Sequence, residues 1–132
     1  MNQDYLEQQV NLPEVDLRQF SPLTLAYIGD GVFELIIRTI MVQQENCPVQ
    51  KLHRRTSTLV KAENQAEMID RMMPYLTEEE QTVYRRGRNA KSYTKAKNAS
   101  TGTYRKATGF EALIGYLYLQ KKLERIIDLV KI

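Results

Sequence analysis

The chain has 132 residues, enough for one compact domain with a hydrophobic core and too few for two ordinary domains. Its 42% hydrophobic and 27% charged residues are typical of a globular protein and argue against a disordered or membrane protein. The net charge is +3, and the single cysteine, Cys47, excludes both an internal disulfide and a zinc site built on several cysteines.

The first 20 residues are predicted to be an N-terminal extension. The stretch MNQDYLEQQVNLPEVD carries acids and glutamines where a signal peptide requires a basic flank and an apolar centre. We therefore expect a cytoplasmic protein in which residues 1–132 form a single domain and residues 1–20 extend it.

The first long helix is predicted to begin at Ser21, an N-cap residue followed by Pro22, and to continue to about Val42. Three charged residues interrupt its apolar run, which excludes a membrane-spanning helix: Asp30, Glu34 and Arg38. We expect this helix to lie in the core.

Two shorter helices are predicted next. Pro48 is expected to open a helix that ends near Arg54, and another follows from about Ser57 to Met73, where Pro74 ends it. The spacing of three acids on this third helix places them on one face, which is usually a solvated stripe: Glu63, Glu67 and Asp70. Either glutamate is also a candidate third carboxylate if the helix packs beside Asp30.

Thr77 and Glu80 have the spacing of a capping box, which predicts a helix that continues to about Gly87. Residues 89–104 then lose the apolar pattern and are rich in Lys, Ser, Thr, Asn and Gly, so we expect an exposed basic loop. Helical periodicity resumes in GFEALIGYLYL and in KKLERIIDLVKI. No segment alternates as a strand would, and the predicted fold class is all-α.

The positive charge is concentrated in one segment. Residues 85–106 contain eight Lys or Arg and no acid, so subtracting eight from 19 leaves 11 bases against 16 acids elsewhere, a balance of −5. A basic patch on an otherwise acidic body indicates a polyanionic partner.

Asp30 lies between Gly29 and Gly31 in the stretch AYIGDGVFEL, within the predicted core helix. Each glycine costs ~1 kcal/mol relative to alanine inside a helix. Close approach of another backbone would explain the glycines. Asp30 either pairs with a basic residue of the third helix, or faces water beside Glu34, or takes part in a site.

Glu111 also stands at the start of an apolar stretch that contains glycine, TGFEALIGYLYL. Alone it is read as the last residue of a capping box with Thr108. If the two helices cross with their acids adjacent, Asp30 and Glu111 form an oxygen-donor site suited to magnesium, which takes one or two carboxylates plus water and substrate phosphate.

These two stretches resemble the ribonuclease III endonuclease domain. Its helix motif reads approximately LEFLGDAVLEL, against LAYIGDGVFEL here, and its second acidic motif reads approximately DAFEALIGALYLD, against TGFEALIGYLYLQ here. The motifs occur in the family's order, and the likeness covers most of the chain from Leu23 onward. The resemblance implies a dimeric helical bundle that cuts double-stranded RNA with Mg²⁺ and leaves 5′-phosphate products.

Two departures point to one branch of that family. Ala26 and Thr108 replace acids, so only Asp30 and Glu111 remain of the family's four carboxylates. The chain also ends without the double-stranded-RNA-binding domain that commonly follows. Together with the RGRNAK run, these departures resemble the mini-ribonuclease III branch, which is associated with maturation of large-subunit (23S) ribosomal RNA. A ribosomal RNA precursor, and a ribosomal protein or particle, are then candidate partners.

Duplex RNA is recognised largely through its backbone and shape, so basic side chains along the chain suffice for binding. The candidates are Arg85, Arg86, Arg88, Lys91, Lys95, Lys97, Arg105 and Lys106. Tyr93 and Tyr104 could stack on RNA but are expected to pack the loop. Tyr27 matches the family position that packs across the homodimer interface, with ordinary core burial as the alternative.

His53 is expected to be a surface or RNA-facing residue rather than a catalyst. Ribonuclease chemistry that uses two histidines as base and acid is discounted, because each chain has only one histidine. The competing hypothesis is a non-catalytic RNA-binding or ribosome-assembly module that keeps the fold without the chemistry. A helical protein-interaction domain is a third hypothesis, and the basic segment argues against it.

Overall fold

The computed structural model of the chain describes residues 1–91 and 101–132. Seven α-helices are formed within these residues: α1 (Gln3–Val10), α2 (Pro22–Gln44), α3 (Val49–Val60), α4 (Ala62–Met72), α5 (Glu78–Asn89), α6 (Thr101–Leu119) and α7 (Leu123–Val130). Two 3₁₀ turns occupy Leu17–Gln19 and Met73–Tyr75. The described residues contain no strand, so the predicted all-α class is confirmed.

Helix α6 forms the centre of the bundle, with α2, α4, α5 and α7 packed around it. Its residues Phe110, Leu113 and Ile114 are fully buried. The Phe110 ring meets Phe33 of α2 edge to face, with 5.0 Å between the ring centroids. Such pairs add to the free energy gained by burial. Because most of the surface of α6 is buried, this packing fixes the position of α6 relative to α2.

Two helices begin where their capping residues predicted. The Ser21 side chain accepts a hydrogen bond from the Thr24 N–H and Pro22 occupies the first turn of α2. Thr77 and Glu80 form the predicted capping box of α5. Glu80 is buried and also accepts two hydrogen bonds from Arg125 of α7, at 2.7 and 2.9 Å, so one acid caps α5 and ties it to α7.

Several predicted boundaries were wrong. The second predicted helix does not end near Arg54 but continues to Val60, and the next begins at Ala62 instead of Ser57. Nothing in the intervening residues breaks a helix, and the chain turns only at Lys61, whose backbone is extended. The Asn64 side chain then donates to the carbonyl of Leu59, which satisfies the end of α3.

Both ends of the predicted basic loop, residues 89–104, belong to helices. Asn89 belongs to α5, and residues 101–104 form the first turn of α6. Residues 92–100, with Tyr93, Lys95 and Lys97, lie outside the described part of the chain.

The predicted N-terminal extension contains a helix that contacts the end of α6. Lys121 forms ion pairs with Asp4 and Glu7 of α1, and the Gln3 side chain donates to the carbonyl of Tyr118 at 2.8 Å. None of the described helices is long and apolar enough to cross a membrane.

Candidate active site

Helices α2 and α6 cross in direct backbone contact at two glycines. A Cβ added to Gly29 would lie 1.8 Å from the Glu111 carbonyl oxygen, and one added to Gly115 would lie 2.0 Å from the Leu25 carbonyl oxygen. Both distances are far inside van der Waals contact, so only glycine fits at either position. The predicted close approach therefore accounts for Gly29. Sequence reasoning missed its partner Gly115, although the spacing of four residues from Glu111 was visible.

Close approach does not account for Gly31, because a Cβ there would meet nothing within 4 Å. The prediction was wrong for this second glycine. Gly31 instead lines an apolar groove of about 580 Å³ between α2 and α7, together with Leu35 and Ile127.

The crossing brings the two predicted acids together. The carboxyl groups of Asp30 and Glu111 hydrogen-bond to each other, with Asp30 exposed and Glu111 partly buried. Partial burial raises the pKa of Glu111 to about 9, assisted by the hydrogen bond to Asp30 and by its negative charge. With this pKa, Glu111 holds its proton at neutral pH when no metal ion is bound.

Asp30 is exposed, which agrees with the alternative that it faces water, and within the described residues it forms no ion pair with a basic residue of the third predicted helix. One interpretation of Glu111 is corrected. Glu111 is not a capping residue: α6 begins at Thr101, and the Thr108 hydroxyl donates to the Tyr104 carbonyl one turn earlier within the helix. The capping-box alternative for Thr108 and Glu111 is therefore wrong.

The arrangement of the two acids fits a magnesium ion. Within the described residues, neither Asp30 nor Glu111 forms an ion pair with a basic side chain. Two adjacent carboxyl groups without a neutralising base supply the hard oxygen donors that magnesium prefers, and the exposure of Asp30 leaves room for water and phosphate. Asp30 and Glu111 would be the ligands.

A third carboxylate does not join this pair. Across residues 1–91 and 101–132, no three His, Cys, Asp or Glu side chains are placed to hold one metal ion. Glu63 and Glu67 instead line a separate groove between α4 and the start of α6. The idea that either glutamate completes the site is wrong for the described residues.

The predicted RNA-binding cations fall in different environments. Arg85, Arg86, Lys91 and Arg105 are exposed at the end of α5 and on the first turns of α6. The Arg88 guanidinium lies over the Tyr84 ring, 5.7 Å from its centroid. Lys106 forms an ion pair with Asp70 of α4 at 3.0 Å, so this cation is partly neutralised rather than only solvated.

Tyr27 is 82% exposed, so the alternative of core burial is wrong. It lies one turn before Asp30 on α2. Leu35, about two turns further along the same helix, is 59% exposed. His53 is exposed on α3, as expected, and forms no part of the carboxyl pair.

The family model of the ribonuclease III domain matches residues 23–122 of this chain. The chain belongs to the ribonuclease III domain family. Bacterial relatives named Mini-ribonuclease 3 are similar to it over most of its length. The relative from Clostridium tetani is 51% identical over 119 residues, covering 89% of this chain and 78% of that protein. The relative from a Thermoanaerobacter species is 47% identical over 128 residues, covering 97% of this chain and 90% of that protein.

A solved structure supports the same assignment. The crystal structure of a protein from Fusobacterium nucleatum is 30% identical and superposes with a TM-score of 0.81, covering 89% of this chain and 94% of that one. Family membership and the relatives' names support an endoribonuclease. The predicted ribonuclease III-like fold is confirmed.

Proposed function

We propose that this protein is a magnesium-dependent endoribonuclease that cuts double-stranded RNA, with Asp30 and Glu111 holding the metal ion. The contact between these two carboxyl groups carries the proposal, because two acids distant in the chain meet without a base to neutralise them. Membership of the ribonuclease III domain family and relatives named Mini-ribonuclease 3 support it.

Magnesium, when bound, would make a water nucleophilic and stabilise the charge on the leaving oxygen. Glu111 must lose its proton for this purpose, because a protonated carboxyl is a poor ligand. Exposed Asp30 would hold the ion at the surface, where the scissile phosphate can reach it, and the α5 cations would bind neighbouring phosphates. The products would carry a 5′-phosphate and a 3′-hydroxyl.

We further propose a homodimer that pairs α2 with its counterpart. Tyr27 is exposed, and Gly31, one turn further along α2, lines an apolar groove in which an added Cβ would meet nothing within 4 Å. Insertion of the partner's aromatic ring there would bury both surfaces. Tyr27 and Asp30 lie on the same turn of α2, so an interface at Tyr27 would bring the two Asp30–Glu111 sites of the dimer near each other. The two-fold symmetry would then direct one site to each strand of the RNA duplex.

The substrate is proposed to be a precursor of 23S ribosomal RNA in the bacterial cytoplasm, alone or within a ribosomal particle or with a ribosomal protein. The relatives' similarity and the basic residues of α5 support an RNA duplex as the class of substrate. A non-catalytic RNA-binding or assembly module is the second candidate, favoured by the loss of two family acids at Ala26 and Thr108.

Incubation of the purified protein with a long RNA duplex separates these functions. We expect fragments with 5′-phosphate ends in the presence of Mg²⁺ and intact RNA when the metal is chelated. The matched control is Asp30→Asn, which preserves size and should bind the duplex without cutting it. Retention of uncut RNA by the wild-type protein in Mg²⁺ would leave the binding module as the function.

A further inference from the structure

Tyr84 forms a rigid platform between α5 and α6. Its ring is 3% exposed and lies flat enough against Gly109 that a Cβ added there would be 2.6 Å from two ring atoms. On the same turn of α5, a Cβ added to Gly87 would lie 2.9 Å from the Cα of Gly109. Two glycines thus remove the space in which α5 could shift relative to α6.

Arg88 rests on this platform. Its guanidinium lies 5.7 Å from the centroid of the Tyr84 ring, and its Nε donates to the Asn89 side-chain oxygen at 3.3 Å. Stacking of a guanidinium on an aromatic face is attractive and restricts the side chain. The position of Arg88 is therefore set relative to α6, at the level of Gly109.

The neighbouring cations lack this support. Arg86 is exposed on the outer side of α5, and Arg85 only reaches Gln81 of its own helix, at 3.4 Å. Lys106 donates to both carboxylate oxygens of Asp70, at 3.0 and 3.1 Å, so its charge is engaged. Among the described basic residues near this end of α5, Arg88 combines a full charge with a fixed position.

Gly109 precedes Glu111 by two residues, which corresponds to about 3 Å along the helix axis. The same two residues turn the helix by about 200°, so Gly109 faces α5 and Glu111 faces α2. A group fixed against Gly109 is therefore held at a fixed offset from the acid, across the width of α6. A guanidinium held over an aromatic ring has five N–H donors, which leaves donors for a planar, bidentate contact with phosphate oxygens.

We propose that Arg88 is a fixed clamp for one phosphate of the RNA duplex, and that Tyr84 is the positioning residue that holds it at a fixed offset from the carboxyl pair. This inference rests on the proposed function, because the phosphate is that of the duplex to be cut. The other cations attract the RNA backbone without fixing the position of one phosphate: Arg85, Arg86 and Arg105.

The test compares Arg88→Lys with Arg86→Lys, a matched change two residues away on the same helix. Each variant is measured for duplex affinity across salt concentrations without Mg²⁺, and for single-turnover cleavage with Mg²⁺. Both keep the charge, so the salt slope should stay within about one unit of wild type. Arg88→Lys should slow cleavage by roughly tenfold or more, because misplacement of a positioned group is costly, whereas Arg86→Lys should slow it much less, because Arg86 acts through a charge that the variant keeps.

Tyr84 is tested by Tyr84→Phe and Tyr84→Leu. Tyr84→Phe keeps the ring and should cleave the duplex at the wild-type rate. Tyr84→Leu removes the ring, so its cleavage rate should fall as much as that of Arg88→Lys, while the salt dependence of its RNA binding stays unchanged. Because Tyr84→Leu alters packing, its fold is checked by circular dichroism, and Arg88→Lys stands as the independent test. Equal cleavage by Arg88→Lys and wild type would overturn the clamp, as would an equal loss in Arg86→Lys.

Failure of the clamp and failure of the proposed function give different results. If wild-type protein does not cut the duplex at all, the nuclease proposal fails. The clamp is then tested by RNA binding alone. Arg88→Ala should lower the slope of RNA affinity against salt concentration by roughly one, and should weaken RNA affinity more than Arg86→Ala does. Equal losses of affinity in these two alanine variants would overturn it.

Discussion

Replacing Gly29 by alanine tests whether backbone contact between α2 and α6 builds the site. The added Cβ would lie 1.8 Å from the Glu111 carbonyl oxygen and 2.7 Å from the Gly115 nitrogen. Ordinary contact begins near 3.4 Å, so the helices must separate by about 1.6 Å at this point. Backbone atoms block the Cβ, and no side-chain rotation can relieve the clash.

The free-energy balance favours a large loss of stability. Alanine improves helix propensity by about 1 kcal/mol over glycine. Overpacking of a tight core commonly costs about 1–3 kcal/mol, and a clash with backbone lies at or beyond the upper end. We expect Gly29→Ala to lower the free energy of unfolding by at least about 2 kcal/mol, which corresponds to roughly 8 °C in Tm for a domain of this size.

The matched control is Gly102→Ala on α6, where an added Cβ meets nothing within 4 Å and the backbone is helical. This variant should gain up to about 1 kcal/mol. Thermal unfolding of both variants at one protein concentration gives the comparison. A Gly29→Ala protein as stable as wild type would refute the reasoning that this crossing is set by backbone contact.

Three further predictions concern other contacts. Arg125→Ala should lower the free energy of unfolding by about 2 kcal/mol, because it leaves the buried Glu80 carboxylate without its cation. The Arg125 hydrogen bonds hold the pKa of Glu80 below its usual range, so this difference, measured by denaturant unfolding, should persist above pH 4.5 and vanish as the pH falls through the lowered pKa. Tyr27→Ala should weaken self-association by roughly tenfold or more in analytical ultracentrifugation, since a large exposed ring loses its contact. Asp70→Asn should strengthen RNA binding and steepen its salt dependence, because Lys106 is released from its ion pair.

Each of these has its own contrary outcome. Equal acid sensitivity of the wild-type and Arg125→Ala proteins would show that the Glu80 pair contributes nothing to stability. A Tyr27→Ala protein that associates like wild type would remove this ring from the dimer interface. An unchanged salt slope for Asp70→Asn would mean that Lys106 does not face the RNA, and Asp128→Asn, far from the basic segment along the chain, serves as the charge-matched control.

Signals confined to a few neighbouring residues predicted the structure well. Ser21 with Pro22, and Thr77 with Glu80, fix the starts of α2 and α5 because the cap bonds form within one turn. The meeting of Asp30 with Glu111 was predicted from the two acidic motifs. Their resemblance to a known family implies that the two helices cross, which caps and periodicity alone do not indicate.

Other features that depend on long-range packing, and that no motif marks, could not be predicted. Thr108 and Glu111 have capping spacing, yet α6 begins at Thr101, eight residues before the first helical residue that this capping box implies, and Thr108 is buried inside the helix. Tyr27 is an aromatic residue in an apolar run, and periodicity alone does not distinguish a core position from an exposed one. Gly29 and Gly31 are equivalent in the sequence, and only the neighbouring backbone makes one obligatory.

Calorimetric titration of Mg²⁺ into wild-type, Asp30→Asn and Glu111→Gln proteins tests the carboxyl pair most directly. We expect saturable binding to the wild type that tightens from about pH 7 to about pH 9, because the ion must displace the proton held by Glu111. Neither folded variant should bind the ion at comparable affinity. Undiminished Mg²⁺ binding by both variants would contradict the assignment of these two residues as the metal site.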